Sequence, residues 1–72
     1  MAKTPGPPPP AADLRAAMQA HQAGKLLRAE KEYKRYLAAN PSDADALAAF
    51  GVLRAQQGQQ TAALALFARA AG

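Results

Sequence analysis

The chain holds one imidazole, His21, and three aliphatic hydroxyls, on Thr4, Ser42 and Thr61. Nucleophilic catalysis needs a hydroxyl or thiol, a base within hydrogen-bond reach and a third group that orients the base. Thr4 lies in a proline-rich leader and Thr61 stands near a helix start. Ser42 follows Asn40-Pro41 directly, where a hydroxyl suits the exposed amides of a new first helical turn. None of the three is tied by its setting to His21. Asp43 and Asp45 set two carboxylates within one helical turn, but no third ligand stands near them in sequence. A first-turn charge effect explains the pair more simply than a metal does. Gly24, Gly51 and Gly58 form no phosphate-cradling loop, and each suits a turn or a close packing contact. The expectation is a chain without a catalytic constellation, cofactor or metal of its own.

Size and composition narrow the remaining classes. A chain of 72 residues makes one small domain at most, and such chains bury little. With no cysteine, disulfides cannot reinforce it, which suits a reducing compartment. The apolar half is largely alanine, and the bulky apolar residues are few. That set suits thin, closely packed helices. No run is apolar and long enough to span a bilayer, and MAKTPGPPPP lacks the apolar core of a signal peptide. A soluble, cytoplasmic protein is expected.

The net charge of +4 lies wholly in the first part of the chain. Residues 1–41 carry Lys3, Arg15, Lys25, Arg28, Lys31, Lys34 and Arg35 against Asp13, Glu30 and Glu32, while the remainder is neutral. A basic region invites a nucleic-acid reading. Glu30 and Glu32 interrupt the cluster and no stacking aromatic is evidently exposed beside it, so a solvated helix face is the favoured account.

The elements that position these residues follow from breakers and spacing. Pro5 and Pro7 to Pro10 predict an extended, disordered arm over residues 1–10. Strong helix formers then run from Ala11 to Ala23, where Gly24 interrupts. A second helix is predicted from Leu26 to Ala39, with Leu26, Ala29, Tyr33, Tyr36 and Leu37 on its apolar face. Asn40-Pro41 stops it. A third is predicted from Asp43 to Gln57, packing through Leu47, Phe50, Gly51 and Leu53, and a fourth from Gln60 to Ala71 after Gly58. Short connections make the neighbours antiparallel.

The two halves also echo each other at an offset of 34: Gly24 answers Gly58, Ala29 answers Ala63, Tyr33 answers Phe67 and Arg35 answers Arg69. Two helix-turn-helix units at this period resemble the tetratricopeptide repeat, whose signature runs W-x2-L-G-x2-Y, then A-x3-F, then P. The matching residues are Ala17, Ala29, Tyr33 and Pro41 in the first unit and Leu47, Phe50, Gly51, Ala63 and Phe67 in the second. The stretch ADALAAFGVLRAQQGQQTAALALFARA is especially similar to a bacterial repeat of this class. Asp13 stands where a bulky residue is expected, Arg54 replaces the usual aromatic and Tyr36 a small residue. The resemblance implies an all-α fold of two antiparallel helix-turn-helix units, four helices in all. Residues 11–41 make the first unit, and residues 42–72 make a second that is C-terminally incomplete and uncapped.

The resemblance further implies a concave groove lined by the first helix of each unit. By position it would present Leu14, Met18, His21 and Gln22, then Ala48, Val52, Ala55 and Gln56. Relatives that grip a terminal carboxylate use lysine and asparagine on this surface, whereas Leu14, Met18, Ala48 and Val52 occupy those places here. An apolar or helical protein segment is therefore the expected partner, because a groove without fixed charge rewards apolar burial. Ordinary core packing is the competing account of Leu14, Met18 and Val52, and plain surface that of His21. Such repeats also sit at the front of larger enzymes, among them protein glycosyltransferases resembling O-linked N-acetylglucosamine transferase. A substrate-presenting region of that kind is the alternative by analogy.

The last helix carries one charge, Arg69. Ala63, Leu66, Phe67 and Ala70 fall on one side, towards the third helix, and Leu64, Ala68 and Ala71 on the other. Terminal repeats normally carry a polar capping face. Leu64, Ala68 and Ala71 are thus expected to be covered by a second copy in a homodimer or by further chain.

Overall fold

The computed structural model describes the backbone of residues 10–72 and the side chains of residues 14–72. Most of the expected arm, and the side chain of Asp13, lie outside the described residues. Four helices follow in order: α1 (Pro10–Gln22), α2 (Leu26–Ala39), α3 (Ala44–Gln56) and α4 (Gln60–Ala71). The fold is all-α, and the described residues include no strand. Helix α1 begins on Pro10, one residue inside the segment expected to be extended. A first-turn residue needs no amide hydrogen for the helix, and proline's fixed φ already suits it.

Each helix pair is closed by a turn built the same way. In the first, the Lys25 amide donates to the Ala20 carbonyl (2.9 Å) and the Gly24 amide to that of His21 (3.0 Å). In the second, Gln59 donates to Arg54 (2.8 Å) and Gly58 to Ala55 (3.0 Å). Every donor and acceptor moves by 34 positions. Gly24 and Gly58 both hold φ at +79°, the left-handed region that closes a helix at low cost only for glycine. No side chain caps α2 or α4. The carbonyls of Lys25 and Gln59 instead accept the first helical amides, those of Ala29 and Ala63.

The junction between the pairs is built differently. The Asn40 amide and its side-chain Nδ2 both donate to the Tyr36 carbonyl, which ends α2. Asp43, in extended conformation, caps α3 by accepting the Ala46 amide at 3.1 Å. This corrects the expectation that Ser42 is the cap: Ser42 is exposed in the turn. A carboxylate both accepts the amide and answers the helix dipole, so it outcompetes a hydroxyl one position earlier.

Packing is closest within the pairs, α1 on α2 and α3 on α4; α2 also lies along α3, and α1 touches α3 more sparsely. Ala17, Ala29 and Ala46 are wholly buried, so small side chains stand where helices approach. Tyr33, Leu47 and Leu53 are the largest fully buried side chains, and Phe50 and Leu66 complete the core around them. Tyr33 stacks on Phe50 with ring centroids 5.6 Å apart, joining the first pair to the second.

Candidate partner-binding site

His21, on the last turn of α1, stands at a three-helix contact. Its ring meets Tyr33 of α2 edge-on, with centroids 5.9 Å apart. The Tyr33 hydroxyl and His21 Nδ1 are hydrogen-bonded at 3.0 Å, and Nε2 donates to Gln56 Oε1 of α3. Burial pushes the Tyr33 phenol above its ordinary range, which keeps it a neutral hydroxyl. His21 is therefore a half-buried fastener between helices, with a structural role that its sequence setting did not disclose.

Around this fastener lies a shallow depression lined by Met18, His21 and Gln22 of α1, Tyr33 of α2, and Ala49 and Val52 of α3. Met18 is 36% exposed and Val52 45%, and both line the depression with His21. No fixed charge lines the depression. Of the eight residues expected in a groove, Met18, His21, Gln22 and Val52 are brought together here, and Gln56 joins them through its bond to His21. Leu14 is packed against the core cluster, while Ala48 and Ala55 are half-buried and do not line the depression. Ala49 takes the place expected of Ala48. The two share the Val52 side of α3, at i,i+3 and i,i+4, so spacing alone does not separate them. Tyr33 was assigned by pattern to packing only; its hydroxyl was the available signal, because a buried phenol needs a partner.

The neighbouring surfaces are charged. Glu30 pairs with Lys34 (3.1 Å) and Arg54 (3.3 Å), and it accepts from Gln57 Nε2 at 3.0 Å. The Gln57 and Lys34 contacts hold the Glu30 carboxyl below its usual range. Arg54, where an aromatic was expected, lies 4.7 Å from the Phe50 ring centroid. Tyr36 donates its hydroxyl to Asp43, and that bond, followed by the Ala46 amide, lowers the Asp43 pKa. These contacts bind α2 to α3 and the turn before it. Arg28, Lys31 and Arg35 remain exposed on α2 and Lys25 at its N-cap, with half-buried Glu32 among them.

On α4, Leu64 is 66% exposed, and Ala68 and Ala71 are exposed beside it. Phe67, expected on the packed side, is 37% exposed although its ring lies against Gly51. The expected apolar face is thus larger than spacing suggested. Among the described residues no helix is long and apolar enough to cross a membrane, and no cluster of three His, Asp or Glu is placed to hold a metal ion. Compared with protein-family models, curated proteins and solved structures, the chain matches none.

Proposed function

We propose that the chain is a non-catalytic, cytoplasmic interaction module of two tetratricopeptide-like repeats that holds an apolar peptide or helix. The observation that carries this reading is the uncharged depression between α1 and α3, where Met18 and Val52 stay exposed around a fixed His21. Exposed apolar side chains beside rigid polar groups suit a partner that buries one face and is oriented by a few hydrogen bonds. The exposed amide side chains of Gln22 and Gln56 supply that polar margin. The turn bonds shared at an offset of 34 support the repeat assignment.

Affinity selection from a displayed library of helical and extended peptides tests the reading. Apolar, amphipathic sequences should be enriched, and their binding should change little with added salt, unlike nucleic-acid binding. Met18→Glu and Val52→Glu should each weaken a selected peptide at least tenfold, about 1.4 kcal/mol, with helicity unchanged. Unchanged binding in both variants would remove the depression as the site. Loss of helicity would make these residues core.

A further inference from the structure

The contact between the two helix pairs shows what the outer face of a second helix packs against. On α2 that face carries Glu30, Tyr33 and Tyr36, and α3 covers it: Phe50 stacks on Tyr33, Arg54 and Gln57 reach Glu30, and Asp43 meets the Tyr36 hydroxyl. Thirty-four positions on, the same face of α4 carries Leu64, Phe67 and Ala70. The acid that needed Arg54 and Gln57 has become leucine, and the hydroxyl that met Asp43 has become a methyl. This face therefore takes a helix with apolar side chains where α3 has polar ones.

Among the described residues one helix fits that description, and it is α4 itself. Leu64, Phe67, Ala68 and Ala71 follow one another at i, i+3, i+4 and i+7, which is a helix-pairing seam. A face that pairs with its own copy across a two-fold axis must also be free of net charge, because every charge meets its equivalent. Helix α4 meets that condition. Its one charged residue, Arg69, is drawn back to the Pro41 carbonyl at 3.2 Å. Helix α2 does not, since Arg28, Lys31 and Arg35, and Lys25 at its N-cap, would oppose their own images. We propose that the α4 face is the interface of a symmetric homodimer, in which α4 packs on α4 of a second copy through Leu64, Phe67, Ala68 and Ala71. A 12-residue helix is about 18 Å long, so the contact is small and the association is weak and concentration-dependent. The dimer leaves the Met18–Val52 depression out of its interface and does not depend on that depression's being a binding site.

Sedimentation equilibrium on the full chain over the micromolar range decides the matter. The expected result is a weight-average mass that climbs from monomer towards dimer with concentration. Leu64→Lys should shift that midpoint at least tenfold to higher concentration while circular dichroism stays unchanged, because Leu64 is mostly solvent-exposed within one copy. Leu64→Met, which keeps the seam apolar, should dimerise like the parent, and so should Met18→Glu, which lies outside it. A wild-type chain that stays monomeric at high micromolar concentration overturns the proposal and leaves the face to a helix of another protein. A Leu64→Lys chain that dimerises as well as the parent overturns it equally.

Discussion

Tyr33 and Phe67 stand 34 residues apart, at the same place in their helix pairs, after turns made with the same hydrogen bonds. One is 1% exposed and the other 37%. Neither residue type nor local backbone accounts for the difference. Tyr33 has α3 laid over it, with Phe50 on its ring and His21 on its hydroxyl, whereas nothing described lies over Phe67. Burial at a repeated position is thus set by the next element in the stack. The first pair is closed by the second, and among the described residues nothing closes the second.

The largest test of this contrast is truncation of the two rings. Tyr33→Ala removes a buried aromatic and the hydroxyl bonded to His21 Nδ1, so a loss of about 3–5 kcal/mol is expected, enough to unfold much of a chain this small. Phe67→Ala should lose only about 1–2 kcal/mol, because its ring is already part-solvated. Urea unfolding followed by circular dichroism measures both. Equal losses would show that the two pairs are equally closed, and the comparison would collapse.

Gly51→Ala sharpens the contrast from the other side. Gly51 is the counterpart of buried Ala17, and a Cβ added there would lie 2.6 Å from Phe67 Cε1. Overpacking costs about 1–3 kcal/mol, and alanine's better helix propensity returns up to about 1 kcal/mol. A net loss of about 1 kcal/mol is expected. Phe67→Leu in the same chain should relieve most of it by making room. A Gly51→Ala chain as stable as the parent would mean that the open ring swings aside freely.

The junction between the pairs should respond to acid. The Asp43 and Glu30 carboxyls are both held below their ordinary values of 3.8 and 4.5, so they contribute stability above those values. That contribution is lost as the pH falls through the lowered pKa values of the folded state. Asp43→Ala should cost about 1 kcal/mol at neutral pH through loss of the α3 cap, and the gap to the parent should narrow in acid. Glu30→Gln should cost roughly 0.5 kcal/mol or less, since its ion pairs are partly solvated. A gap that stays constant from neutral pH down into acid would show that neither carboxyl holds α2 to α3.

Much of the fold was legible in the sequence. Gly24, Gly58 and Asn40-Pro41 marked every helix break, and the predicted spans of α2 and α4 agree with the structure to the residue. The apolar face of α2 and the exposure of Leu64, Ala68 and Ala71 were legible too, because helical spacing fixes which residues share a side. These are local properties: a breaker or a turn acts over a few residues, and its effect can be read where it stands.

Tertiary packing alone decided the rest. Whether Ser42 or Asp43 caps α3 rested on one residue of helix start, and the Tyr36 hydroxyl, seven residues back, anchors Asp43 in that place. Whether Ala48 or Ala49 faces the depression rested on helix rotation, at about 100° per residue, which no repeat pattern resolves. His21 carried no sequence sign of its partners, because Tyr33 and Gln56 come from two other helices and meet it only once the second pair is stacked on the first. Sequence determined where this chain turns and which sides are apolar. The choice among those apolar sides, which are buried and which stay open, belonged to the stacking, because each helix has more apolar surface than its own pair can cover.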